Sequence, residues 1–305
     1  MPSYNEITAQ QLFRLIGTPD APVIIDVRDD EDFANDPRMI PTAKRYDYRT
    51  ARDWVGGFAG QRVVVICQKG LKLSHGVAAM LRALGVSAEN LEGGHLGWIA
   101  AGLPLVPVGV VPGSDGGSVW VTRHRPKIDR IACPWLVLRF VDPAARFLFV
   151  APSEVMAVAE KFGAIPFDVE GVRFSHVGDQ CSFDTMLEAF GLETEALQRL
   201  ATVVRGADTN RADLAPQAAG LLAVSVGLSR MYRDDTAQLA AGLPLYDALY
   251  RWARDGYDES HDWPSAGTRG GQLTGTIQPS EWPSFFGYIC GSGCCHSAAR
   301  PAKSP

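Results

Sequence analysis

Cysteine and histidine are scarce in this chain, with six of each among 305 residues. Cys67, Cys133 and Cys181 lie far apart, and only Cys290, Cys294 and Cys295 cluster. That spacing excludes a disulfide framework and fits reduced thiols in a cytoplasmic protein. No apolar run approaches the roughly 20 residues a membrane span needs, so no membrane partner is expected. Basic charge is not in excess: 29 Lys and Arg against 34 Asp and Glu leave a formal net charge of -5. A general nucleic-acid binder is therefore not expected. The stretch from Met1 to Gln11 is polar and contains Glu6. It lacks the basic-then-apolar plan of a secretory leader. What is present, 46% hydrophobic and 21% charged residues, is the composition of a soluble globular protein long enough for two domains.

Residues 1–106 alternate short β-like runs with amphipathic stretches. Pro22 to Arg28 and Val63 to Ile66 read as buried strands, and Thr8 to Ile16 reads as a helix. Between Ser74 and Leu84, Val77, Met80, Leu81 and Leu84 recur at helical spacing, with Gly85 at the C-cap. Such alternation predicts an α/β domain around a parallel sheet. Residues 107–118, rich in proline and glycine, read as a linker. Residues 119–257 predict a mainly helical α+β domain. Three strands are expected, at Val119 to Thr122, Phe147 to Val150 and Val172 to Ser175. Ser153 reads as the cap of a helix that buries Val155, Val158, Ala159 and Phe162. From 258 to 305 the hydrophobic period disappears, and the segment reads as an irregular, poorly ordered tail. Its Cys290, Cys294, Cys295 and His296 could hold a metal or accept sulfur; incidental residues of a flexible tail are the other reading.

Cys67 carries the sharpest chemical signal. It follows Val63-Val64-Val65-Ile66 and opens the segment Cys67-Gln68-Lys69-Gly70-Leu71-Lys72-Leu73-Ser74, which leads into a helix. Loop amides and a helix N-terminus can converge on one sulfur and favour its anion. Lys69 and Lys72 add positive charge nearby, so the thiolate is favoured and Cys67 is predicted to be a nucleophile. A buried core thiol is the alternative.

Asp26-Val27-Arg28, the Cys67 loop, Gly76-Val77-Ala78-Ala79-Met80-Leu81 and Leu91-Glu92-Gly93-Gly94 with Gly97-Trp98 together resemble the rhodanese-like sulfurtransferase domain over nearly all of residues 1–106. The resemblance implies that Cys67 takes sulfur from a small anionic donor such as thiosulfate and passes it, as a persulfide, to a thiol or other thiophilic acceptor. It implies no cofactor for that transfer. Gln68, Gly70 and Leu71 would cradle the persulfide, Lys69 and Lys72 would attract the donor, and Asp26 and Arg28 would support the loop.

In the second domain Arg123, Arg125, Lys127 and Arg130 crowd a short run that holds one acid, Asp129. With Arg205 they are candidates for an oxyanion site; a solvated edge strand is the other reading. Cys133 precedes Pro134, a residue favoured at the first position of a helix, so a partly activated thiol and a buried structural one both remain open. His176 and Cys181 could hold a metal with Cys133 or Asp208, or Ser182 and Asp184 could simply cap the next helix.

The run from Trp120 to Asp142, the segment Ser175-His176-Val177-Gly178-Asp179-Gln180-Cys181-Ser182-Phe183-Asp184 and Val204-Arg205-Gly206-Ala207-Asp208-Thr209 resemble the ChrB-type C-terminal domain of chromate-resistance proteins. The resemblance implies a part in chromate resistance and a chromate-sized oxyanion as ligand, with Cys133 and Cys181 as candidate reductants. Two functions follow. One is a sulfurtransferase coupled to a chromate-resistance domain. The other is a non-catalytic chromate sensor or binding protein with a vestigial rhodanese-like domain.

Overall fold

The computed structural model describes residues 5–111 and 117–259. Most of the expected linker is thus described, except 112–116, and the cysteine-bearing tail lies outside the described residues.

The N-terminal third is an α/β sheet domain. In chain order it runs β1 (Glu6–Ile7), α1 (Ala9–Leu15), β2 (Val23–Asp26), α2 (Asp30–Asn35), β3 (Arg38–Met39), β4 (Lys44–Arg45), α3 (Ala51–Trp54), β5 (Arg62–Ile66), α4 (Lys72–Ala83), β6 (Ser87–Leu91), α5 (Gly94–Ala100) and β7 (Val106–Pro107). Five strands form one sheet in the order β1-β6-β5-β2-β4, with every pair parallel. Val63 to Ile66 are essentially unexposed, as expected for a central strand covered on both faces. Thr8 starts α1 with a capping box: its hydroxyl accepts the Gln11 N–H, and the Gln11 side chain accepts the Thr8 N–H.

The following region is helix-rich. It comprises β8 (Val119–Arg123), α6 (Asp129–Leu136), β9 (Arg146–Val150), α7 (Val155–Phe162), β10 (Ile165–Pro166), α8 (Ser182–Phe190), α9 (Glu195–Asp208), α10 (Gln217–Met231) and α11 (Asp235–Asp255). The strands form a parallel sheet in the order β10-β8-β9. Two indoles centre its core. Trp120 packs among Phe147, Phe167, Phe174 and Phe190, and Trp135 among Phe140, Phe183, Tyr246 and Tyr250. Burying aromatic rings of this size supplies a large share of such a core's stability.

The described residues up to Asp258 form one compact unit. The Thr42 N–H donates to the Phe140 carbonyl at 3.0 Å, Arg254 Nη1 donates to the Arg14 carbonyl at 2.9 Å, and Gly17 lies against the Phe140 and Tyr250 rings with no room for a Cβ.

Four local expectations need correction. Pro134 lies inside α6 rather than at its start, because the helix begins at Asp129. A 3-10 turn over Pro152–Glu154 precedes α7, so Ser153 does not cap it. Phe162 is exposed on α7, and Val172 to Ser175 form only an isolated bridge, from Phe174 to Phe167. No described helix is long and apolar enough to cross a membrane.

Candidate functional site

Cys67 stands immediately after β5, flanked in the sheet by β6 and β2. The chain turns at Gly70, whose φ of +67° suits glycine, and a Cβ there would lie 2.5 Å from the Leu91 carbonyl oxygen and 2.7 Å from the Gly94 nitrogen. The turn beyond β6 fixes the loop from the other side. The His95 N–H donates to the Cys67 carbonyl and the Leu96 N–H to the Gln68 carbonyl, each at 3.0 Å. These are orphan amides of the first turn of α5, so the loop carbonyls satisfy them while taking up their orientation.

The sulfur itself is buried and meets two groups. The Leu71 N–H donates to Cys67 Sγ at 3.3 Å, and Ser74 Oγ lies 3.2 Å away. That hydroxyl donates to the Leu71 carbonyl at 3.1 Å, leaving its oxygen free to accept from the thiol. For a thiolate or persulfide the same hydroxyl proton is available by rotation. Ser74, fully buried at the start of α4, escaped notice as a site residue. Its signal was position: the seventh residue after Cys67, on the inner face of the helix that follows the loop. Lys69 and Lys72 are exposed beside the loop. Among the cradle residues, Leu71 supplies the N–H on the sulfur, Gly70 the close approach and Gln68 a carbonyl that α5 anchors.

Asp26 and Arg28 form a buried pair at 2.7 Å. Arg28 also donates to the carbonyls of Asp36 and Arg38, so the pair anchors the 36–38 segment rather than the sulfur loop. Asp36 in turn meets His95 Nε2 at 3.1 Å. The Asp36 carboxyl is held well below the carboxylate range by Arg38, with His95 adding to the effect.

The second domain does not gather its arginines into an anion site. Arg123 and Arg130 both contact Asp168 Oδ2, at 3.0 and 3.1 Å. Arg205 pairs with Asp184 at 2.8 Å. Arg125 is spent on the carbonyls of Ser229 and Tyr232, and Lys127 is exposed. The expectation overlooked the carboxylates that these cations meet from other segments.

Cys133 and Cys181 are wholly buried. Burial foremost, and nearby carboxylates next, push both thiols up from the ordinary range. Cys133 is therefore not an activated thiol at a helix start, and neither sulfur is disposed to reduce chromate. Cys181 is instead the N-cap of α8, where Asp184 completes a capping box.

His176 does join Asp208, as one of the expected combinations had it, but the other partners are Asp129 and Asp168. His176 Nε2 lies 3.2 Å from Asp208 Oδ2, 3.5 Å from Asp168 Oδ1 and 3.6 Å from Asp129 Oδ2. Burial foremost, and the neighbouring carboxylates next, raise both Asp129 and Asp208. Asp129 and Asp168 were missed. Asp129 was hidden as the lone acid of a basic run; its position just before the apolar Ile131-Ala132-Cys133-Pro134-Trp135-Leu136 was the available signal.

Residues 8–101 match the family model for the rhodanese-like domain, and residues 120–253 match that for the ChrB C-terminal domain. Both domains are therefore present, in that order. Protein ChrB of Cupriavidus metallidurans is 34% identical over 157 residues, which are 50% of this chain and 47% of that protein. The chain thus spans about half the length of the curated relative it matches. Among solved structures, a rhodanese-related protein from Thermoplasma volcanium is 25% identical, covering 34% of this chain and 98% of its own, with a TM-score of 0.30. Thiosulfate sulfurtransferase from Pseudomonas aeruginosa is 26% identical, covering 35% of this chain and 20% of its own, with a TM-score of 0.29.

Proposed function

We propose that this chain, a rhodanese-like domain joined to a ChrB C-terminal domain, is a sulfurtransferase that carries sulfur on Cys67 and acts in chromate resistance. The observation that carries the reading is the Leu71 N–H on Cys67 Sγ at 3.3 Å, in a loop docked through Gly70 onto the turn at Gly93 and Gly94. An amide fixed in that way stabilises negative charge on sulfur without having to reorganise.

In the first half-reaction the Cys67 thiolate attacks the outer sulfur of thiosulfate. The new S–S bond forms as the S–S bond of the donor breaks, sulfite leaves with its electron pair, and Cys67 becomes a persulfide anion. In the second, a nucleophile such as cyanide or a thiolate takes the terminal sulfur, and the Cys67 thiolate is regenerated. No external oxidant, reductant or cofactor enters either step. Lys69 and Lys72, both exposed beside the loop, would draw the dianionic donor in. Lysine acts there as a point charge without the bidentate fork of arginine.

The test is intact mass spectrometry after incubation with thiosulfate. The wild-type chain should gain one sulfur atom and lose it to cyanide as thiocyanate; Cys67→Ser should do neither. A wild type that gains no sulfur and yields no thiocyanate sinks the proposal.

A further inference from the structure

Asp129 at the start of α6, His176 in the segment before α8 and Asp208 at the end of α9 bring one side-chain donor atom each within 4.8 Å of one another, and Asp168, after β10, also faces His176. Three carboxylate oxygens lie 3.2 to 3.6 Å from a single imidazole nitrogen. An imidazolium has one N–H at Nε2 and cannot serve all three. Donors bound about 2.0–2.2 Å from a common ion stand roughly 3.0–3.6 Å apart, which is the spacing His176 keeps from each carboxylate.

Charge is also unevenly met. Both nearby arginines are in contact with Asp168, whereas Asp129 and Asp208 meet the His176 imidazole and feel Arg130 only from a longer range. Asp129 is 1% exposed; its Oδ2 faces His176, its Oδ1 has no N–H or O–H partner, and the weakly donating Cys181 thiol is the side-chain donor beside the carboxyl. A buried carboxylate oxygen left without a donor is costly unless something else meets it. The rest of the carboxylate array is held in place. Ser182 donates its N–H to Asp129 Oδ2 at 2.6 Å and its hydroxyl to Asp168 Oδ1 at 3.0 Å, and the two arginines orient Asp168 from behind, as outer partners orient metal ligands. His176 is 41% exposed, so the cluster has a solvent side through which a hydrated ion can enter.

We propose that Asp129, His176 and Asp208 bind one divalent first-row transition ion, with Asp168 as the adjoining oriented carboxylate. One imidazole with two carboxylates is a mixed nitrogen–oxygen donor set of the kind manganese, iron and zinc accept, and harder than a thiolate site.

The direct measurement is Mn2+ binding to the chelator-treated full-length chain, followed by the electron paramagnetic resonance signal of free Mn2+. The thiols of the tail are poor ligands for this ion. One Mn2+ per chain is expected. Asp208→Asn and His176→Ala, both at partly exposed positions, should each weaken binding at least about tenfold while circular dichroism shows the fold retained. Zn2+ is titrated in parallel on the Cys290→Ser, Cys294→Ser, Cys295→Ser variant, where the same stoichiometry and the same sensitivity to Asp208→Asn are expected. Failure of both ions to bind stoichiometrically, or equal affinity in wild type and both ligand variants, overturns the proposal.

Discussion

Cys67 takes its surroundings from the loop that follows it and from the turn between β6 and α5, whereas Asp129, Asp168, His176 and Asp208 are assembled from segments spread between α6 and the end of α9. Around the sulfur, most of the contacts are backbone: the Leu71 amide, the Cys67 and Gln68 carbonyls, the close approach at Gly70. Around His176 they are side-chain charges, balanced by arginines from β8 and α6. A site made of backbone should tolerate charge changes nearby and fail when the chain path is altered. A site made of charge should do the reverse.

The largest effect is expected on the charged side. Asp168→Asn removes the negative partner of Arg123 and Arg130, while asparagine tolerates the φ of +52° found there. Breaking such a pair should cost about 2–4 kcal/mol, toward the lower figure because solvent screens the more exposed arginine. The midpoint of urea unfolding should fall accordingly, while the sulfur taken up by the folded variant at Cys67 stays at the wild-type level. An unchanged midpoint would show that the arginines need no counter-charge and would break the contrast.

Gly70→Ala attacks the backbone side. The positive φ alone costs about 1–3 kcal/mol for a residue with a Cβ. The added methyl would also press on backbone atoms of Leu91, Gly93 and Gly94, which cannot swing aside as a side chain would. Persulfide formation should drop sharply although no reacting atom is removed. Wild-type sulfur uptake by this variant would mean that the loop path matters less than the Leu71 amide contact implies.

The same difference explains what could be read from the residues in order. The Cys67 loop, its glycine and the helix that follows are contiguous, so their chemistry shows in one short window. Strand order is less local, yet the buried run Val63 to Ile66 already marks a central strand. In the second domain the arginines were visible and their partners were not. Nothing in the sequence near Arg123 announces Asp168, and nothing near Arg205 announces Asp184. Only the packing of β8 beside β10, and of α8 on α9, brings each charge to its counter-charge. Cys133 was misplaced because proline favours a helix start, whereas α6 begins at Asp129 and holds Pro134 within it.

The smallest effect separates the two histidine–carboxylate contacts. His176 faces three carboxylates and solvent, whereas His95 is 1% exposed and faces one, Asp36, which Arg38 already holds. Burial lowers the His95 pKa, with Arg28 acting in the same direction against the opposing pull of Asp36 and Asp26. A histidine with a depressed folded value binds its proton more readily when unfolded. Its contribution to stability is therefore complete above the ordinary value of about 6.5 and is lost as the pH falls toward the folded value. The slope from this one group cannot exceed about 1.4 kcal/mol per pH unit. Chemical unfolding between mildly acidic and neutral pH should show a decline in stability on acidification that His95→Gln reduces, since glutamine can still reach Asp36 but has no proton to gain. If the decline survives His95→Gln in full, the acid sensitivity belongs to other groups, and the buried His95–Asp36 contact is a fixed hydrogen bond of the scaffold.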